Sequence, residues 1–276
     1  MPVSSRWMSL LAAVPVACAP SGERELRLGT FNVRNLAAAD LPAKRHGVAE
    51  ILRRVDADVV LLEEVAGEAA LDGLATEPAI AERYSYRVQV EGNDQRGFGL
   101  ALLSTLPPAE AKSHRDDWFG GYRYTRDCLE VHFDLPRGRL VLLGVHFRAK
   151  VADDPEHRLA EAEETRLLAD RLLGDDPEPW LVVLGDFNDV PGSPPLEALE
   201  VPEPPLASVV STLPLAERWT TGDGQLFDDL LINPALEAAL RRDSVSVLHD
   251  DELGAELADV SDHAPVAASF RVGEGG

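Results

Sequence analysis

Three apolar runs, each cut off by a polar group, limit what this chain can fold into. Val59-Val60-Leu61-Leu62 runs into Glu63-Glu64. Leu142-Leu143-Gly144-Val145 runs into His146, and Trp180-Leu181-Val182-Val183-Leu184 into Gly185-Asp186. Short unbroken apolar runs fit strands covered on both faces. Leu26–Asn32, Tyr84–Val90, Gly97–Leu103, Leu129–Leu135, Leu226–Ile232 and Val266–Val272 read as further strands. Tyr84–Val90 and Gly97–Leu103 are predicted to be antiparallel neighbours, and Pro136-Arg137-Gly138-Arg139 a hairpin turn into Leu140–Val145. Lys44–Val55 has helical spacing through Val48, Ile51, Leu52 and Val55. Residues 157–173 form a second expected helix, with Leu159, Leu167, Leu168 and Leu172 on its buried stripe, and the Pro-rich segment Val190–Leu206 reads as a loop. Many strands with interspersed helices predict a mixed α/β fold.

With 276 residues, 45% of them hydrophobic, the chain suffices for one large domain. Its formal charge of −22 opposes a broad basic surface for duplex DNA, though a local basic groove can sit on an acidic body. Residues 1–22 read as an export leader: Arg6 precedes the apolar run Trp7–Ala17, which is too short to span a bilayer. Cys18 follows Val16-Ala17 as in a bacterial lipoprotein cleavage site, so membrane attachment through a lipidated Cys18 is the first expectation, ordinary secretion the second, and a cytoplasmic protein with a loose N-terminus the third. Residues 23–273 are then the domain and 274–276 a tail. Cys128, in an apolar strand pattern, reads as a buried thiol.

Carboxylate and amide oxygens gathered at strand ends are ligands that Mg²⁺ prefers. His146 and His263 beside them supply groups that exchange protons near neutral pH. That combination suits cleavage of a phosphate ester. Glu64 should sit at a strand end near a cleft. Asp186 and Asn188, one residue apart, would share a side of an extended segment, with Phe187 turned to the core. Arg126, Arg148 and Lys150 are candidate phosphate contacts near strand ends. Trp118, Phe119, Tyr122 and Tyr124, interleaved with Arg115, Arg123 and Arg126, allow two readings: base stacking or a core-packing loop.

Five segments in order, Thr30-Phe31-Asn32, Leu62-Glu63-Glu64-Val65, Val145-His146-Phe147, Leu184-Gly185-Asp186-Phe187-Asn188-Asp189 and Val260-Ser261-Asp262-His263-Ala264-Pro265-Val266, resemble the endonuclease/exonuclease/phosphatase superfamily. The resemblance runs from about Leu26 to Phe270. It implies a four-layer α/β sandwich of two packed mixed sheets flanked by helices. It also implies a metal-dependent phosphodiesterase, with Mg²⁺ as cofactor and Mn²⁺ as the alternative. Glu64 is then the principal metal carboxylate and Asp262 lies close to the metal. Asp186 orients or activates the attacking water, and Asn188 contacts a phosphate oxygen. His263 acts as base or holds the nucleophile while Asp228 orients its ring, with Asp229 as the other choice of partner. His146 contacts the phosphate or the leaving oxygen, and Asn32 positions the phosphate or the catalytic groups. Glu63 departs from the Gln usual at its place. Arg34 stands where repair-type apurinic endonucleases carry Asp, which argues for phosphate contact and against the DNA-repair branch.

The expected activity is an exported nuclease acting as a monomer on a phosphodiester, with nucleic acid as substrate and no protein partner implied. A phosphatase or sphingomyelinase-like hydrolase of a lipid or inositol phosphate is the rival, and a non-catalytic binding lipoprotein the third reading. Export predicts a native protein whose mature N-terminus falls at or near Cys18. Mass spectrometry of protein from the producing cell checks this, and an intact Met1 sinks it.

Overall fold

The computed structural model describes residues 24–40, 42–151, 154–175, 179–253 and 259–273. The leader with Cys18 and the tail 274–276 lie outside the described residues. In chain order the elements are β1 (Glu25–Leu36), α1 (Pro42–Val55), β2 (Val59–Val65), α2 (Gly67–Ala75), β3 (Tyr86–Val90), β4 (Gly99–Ser104), β5 (Glu110–Ser113), β6 (Cys128–Leu135) and β7 (Gly138–His146). There follow α3 (Pro155–Asp175), β8 (Trp180–Asp186), α4 (Pro194–Glu200), β9 (Ala207–Ser208), β10 (Asp228–Ile232), α5 (Pro234–Glu237), β11 (Leu240–Val247), α6 (Asp250–Leu253) and β12 (Val266–Arg271).

The strands form two six-stranded sheets, ordered β11-β12-β1-β2-β4-β3 and β5-β6-β7-β8-β10-β9. Each holds one parallel pair near its middle, β1 with β2 and β7 with β8. A parallel pair needs a long crossover, and α1 and α3 supply it. Pleating then sorts the side chains. Val59 and Leu61 face the other sheet and meet Leu142, Val182 and Leu184 in the central core. Val60 and Leu62 turn outward onto Val48, Ile51 and Leu52 of α1. Leu143, Val145, Leu181 and Val183 pack outward against Ala162, Leu168 and Ala169 of α3. The result is helix, sheet, sheet, helix: the four-layer sandwich that the family resemblance implied. Cys128 is fully buried in the outer core under α3.

The helices and edge strands depart from expectation. Of the leucines expected on the buried stripe of α3, Leu168 is buried and Leu172 packs on the outer core, whereas Leu167 is 58% exposed. The stripe also takes in Arg158, Glu161, Ala162, Thr165 and Ala169. The charges there are satisfied: Arg158 Nε donates to Asp189, and Glu161 accepts the backbone N–H groups of Thr125 and Arg148. Within Val190–Leu206, Pro194–Glu200 is helical, because two prolines at the first helical positions favour that start. The predicted hairpin and the antiparallel β3–β4 pair are present.

Gly144 lets the sheets approach. A Cβ there would lie 2.6 Å from Leu61 Cδ1 across the interface. Gly144→Ala is therefore expected to cost about 1–3 kcal/mol of stability. In a Leu61→Ala background the same change should cost much less, since the obstructing atoms are gone. Urea midpoints of the four proteins measure the coupling, and strict additivity would remove this account.

Candidate active site

Both parallel pairs end at the same edge of the sandwich, and there the backbone leaves regular geometry. The β1–β2 register shifts between Asn32 and Leu36, and the β2–β4 register between Glu63 and Val65. Arg34, Asn35, Glu64 and Asn188 all adopt positive φ, at 51°, 58°, 65° and 51°. For non-glycine residues such conformations cost on the order of 1–3 kcal/mol each, so the surrounding fold must hold them. Asp56 is the other such residue among those described.

The bulges gather a buried polar cluster. Asn32 Nδ2, from β1, donates to Asp186 Oδ2 of β8 at 3.0 Å. The backbone N–H of Asn188 donates to the other oxygen of Asp186 at 2.8 Å. His146 Nε2, next door on β7, lies 3.4 Å from Asp186 Oδ2, and His263 Nε2 lies 3.9 Å from it. Asp228 is the register partner of Asp186 across β8 and β10, which sets the two carboxylates side by side. His263 Nδ1 meets Asp228 Oδ2 at 2.7 Å. Asp229 points to the opposite face, where it accepts from Ser208 and from the N–H groups of Val210 and Leu230. The alternation of β10 thus decides between the two aspartates. Asn188 departs from the extended segment expected of it. It is left-handed, it closes an Asx turn on Asp186, and its Nδ2 donates to Phe147 O at 3.1 Å. Phe187 is buried in the outer core, as expected.

Charge in this cluster is unevenly shared. Burial opposes a charge on His263, yet Asp228, Asp186 and Asp262 outweigh it and raise the pKa to about 11. Burial first, and then the positive charges of Arg126, His263 and Arg96, push His146 well below the usual imidazole range, so it is neutral. Burial also raises Asp186, against the pull of His263. Glu63 is fully buried between the sheets, accepts a hydrogen bond from Thr30 Oγ1, and is pushed well above the carboxylate range by burial and by Asp228. A protonated Glu63 has the donor and acceptor of the Gln usual there.

Glu64 and Asp262 reach the edge from either side of β1, Glu64 on β2 and Asp262 in the turn before β12. Glu64 Oε2 accepts the N–H of Asn35 at 2.9 Å. Asp262 is exposed and pairs with the Arg34 guanidinium at 3.7 Å. Ser261 Oγ ties that turn to Asn32 O at 2.6 Å. Asp186, Asp228 and His263 also bring one potential ligand atom each within 4.8 Å of one another. Buried Asp228 Oδ1 has no hydrogen-bond partner among the described residues. Carboxylate donors with an uncompensated acceptor atom among them fit a hard divalent cation such as Mg²⁺ or Mn²⁺.

The other predicted contacts are less direct. Arg126 is buried, donates to Phe147 O at 3.2 Å and pairs with Asp94 at 3.5 Å. Lys150 pairs with Asp189 at 2.9 Å. Arg148 is partly buried, and its carbonyl receives Arg158 Nη1. Two residues went unnoticed in the sequence: Asn35, which steadies Glu64, and Arg96, whose Nη1 donates to Asn35 Oδ1 at 3.3 Å. Neither lies in an apolar-run motif. For Asn35, only the tolerance of Asn for positive φ offered a signal.

A folded-state pKa above the unfolded value of about 6.5 means that the His263 charge stabilises the protein below that pH and is lost on passing through about 11. In metal-free protein the His263 ring should therefore stay charged from about pH 5 to about pH 9, where a free histidine would titrate. Asp228→Asn should bring its titration into that window. Ring NMR shifts report both, and an ordinary titration near neutrality in the unaltered protein would overturn the assignment.

The sequence profile of the Endonuclease/Exonuclease/phosphatase family matches residues 29–263. No curated protein matches the chain. Among solved structures, truncated Caenorhabditis elegans TDP2 superposes with a TM-score of 0.68 at 16% identity, covering 90% of this chain and 97% of that one. The human Nocturnin catalytic domain gives 0.70 at 16% identity over 89% and 94%. An endonuclease/exonuclease/phosphatase from Beutenbergia cavernae gives 0.63 at 21% identity over 91% and 72%. At these identities the superpositions speak for the fold, and the profile, with the two-sheet sandwich, for the lineage: the chain belongs to the endonuclease/exonuclease/phosphatase family, whose members are divalent-metal-dependent hydrolases of phosphate esters.

Proposed function

We propose that this protein is an exported nuclease that cleaves phosphodiester bonds by in-line attack of water. The observation that carries the reading is the buried row Asp228–His263–Asp186, with neutral His146 beside it. Asp186, held by Asn32 and the Asn188 N–H, presents one fixed oxygen. Its raised pKa suits a base working near neutral pH. His263, already an imidazolium, is a poor base, which favours the other role expected of it, holding the nucleophile, over that of base. It also offers positive charge, and an Nε2–H donor, to the pentacoordinate phosphate. Asp228 keeps the ring in place and charged. His146 can donate one hydrogen bond to a phosphate oxygen without adding charge. Glu64 and Asp262 would hold the cation, and Arg34 would exchange Asp262 for a substrate phosphate. A divalent cation bound there neutralises phosphate oxygens and eases departure of the alkoxide.

The leader-like segment Trp7–Ala17 before Cys18 supports export. The choice of nucleic acid over a lipid or inositol phosphate is tested by a hydrolysis panel. Single-stranded DNA, duplex DNA, RNA, sphingomyelin and inositol phosphates are compared with and without EDTA, and preferred turnover of a lipid or inositol phosphate would replace this reading.

Asp186→Ala and His263→Ala should each lower turnover by at least about 100-fold while leaving the protein folded, with His263→Ala the lower-melting of the two because it removes the charge that balances Asp228. Glu64→Ala should differ in kind: excess Mg²⁺ should recover part of its activity, and calorimetry should show weakened Mg²⁺ binding. Near-normal turnover in either of the first two, with the fold intact, removes the basis for these roles.

A further inference from the structure

The loop between β5 and β6 separates the two readings that the sequence left open. Phe119 and Tyr124 pack edge to face, with centroids 4.9 Å apart, on the outer core. Tyr122 stacks on His157 at 4.6 Å. Those three are structural. Trp118 is not: it is 68% exposed, with the Arg123 guanidinium 4.7 Å from its ring centroid. A guanidinium on one face leaves the other face of so exposed a ring to solvent.

The platform is held firmly at its root. His114 is fully buried, with one ring nitrogen 2.8 Å from Asp117 and the other 2.7 Å from Glu130. Asn93 Nδ2 donates to Arg115 O at 2.6 Å and to Tyr124 O at 3.0 Å. The loop also starts from the active-site edge. Cys128, just beyond it, is the register partner of Val145, and Arg126 reaches Phe147 O, on either side of His146. A cleft of about 400 Å³ lies beside it, lined by Glu68, Gln89, Glu91 and Arg115. Glu68 stands in the first turn of α2 and Arg115 at the root of the Trp118 loop, so the cleft runs between that helix and the loop.

Two carboxylates in the cleft repel a phosphate backbone but accept hydrogen bonds from amino groups on base edges. An exposed indole under a guanidinium stacks on any base. Exposed Asp116 and Asp117 flank Trp118 and oppose insertion into an anionic bilayer. A base held in a duplex cannot reach such a platform. We infer that Trp118 and Arg123, with the neighbouring cleft, form a subsite for an unpaired base on the loop that leaves the active-site edge, making single-stranded nucleic acid the preferred substrate. The inference rests on the nuclease reading above and narrows it.

The test uses the full chain, a single-stranded DNA oligonucleotide as substrate, and a base-free sugar–phosphate strand of equal length as competitor. Trp118→Ala should raise KM for the oligonucleotide about tenfold with kcat within about twofold, and Trp118→Phe should restore most of the loss. Arg123→Ala should raise KM in the same direction. Inhibition by the base-free strand should be equal in all four proteins, as should their melting temperatures. An unchanged KM in Trp118→Ala, or an equal loss of affinity for the base-free strand, overturns the base subsite while leaving the nuclease reading standing. Failure of the unaltered protein to cleave any strand, alongside hydrolysis of a lipid or inositol phosphate, overturns both.

Discussion

Glu63, Asp186 and Asp228 share one buried space where the two sheets part, and the His263 imidazolium balances them. The rest of the site follows from that electrostatic constraint. Three ionised carboxylates in a low-dielectric pocket would repel one another strongly. The protein divides the labour instead. Glu63 keeps its proton, Asp186 is pushed toward neutrality, and His263 takes a proton that a free histidine would release. His146, buried and facing the positive charges of Arg126, His263 and Arg96, stays uncharged. Two histidines beside the same aspartate thus hold different protonation states because of what else surrounds each ring.

Much of this was legible in the chain because the central strands advertise themselves. A run such as Val59–Leu62 has to be covered on both faces, so the polar residue that ends it has to emerge at an edge. Glu64, His146 and Asp186 were found that way, and the family resemblance supplied Asp228 and His263. What escaped was backbone conformation. Hydropathy has a period but carries no φ, so neither the left-handed turn at Arg34-Asn35 nor the one at Asn188 could be read from it. Asn188 was expected to project like a strand residue, and it instead turns left-handed and caps Asp186 with its own N–H.

The fold was illegible where polar residues do structural work. β5 and β11 lie at sheet edges, β5 with mostly exposed and β11 with mostly half-buried side chains, so they lack the strong apolar signal of the central strands. In α3 the buried stripe is built on Arg158, Glu161 and Thr165, whose partners lie far off in sequence, at Asp189, Thr125 and Tyr124. A search for leucine spacing selects Leu167, which faces water. Only the tertiary partners make those charges tolerable in the interior.

The 3.0 Å hydrogen bond from Asn32 to Asp186 joins a strand of one sheet to a strand of the other. The active site therefore works as a gauge of how the two sheets lie upon each other. A slide of one sheet by a single ångström would part these two side chains while every ladder within each sheet stayed whole. The apolar layer between the sheets, with Gly144 seated against Leu61, thus acts as the mounting that keeps the two halves of the site in alignment. Substitutions in that layer, remote from any phosphate, can detune catalysis by angle and offset long before they loosen the fold.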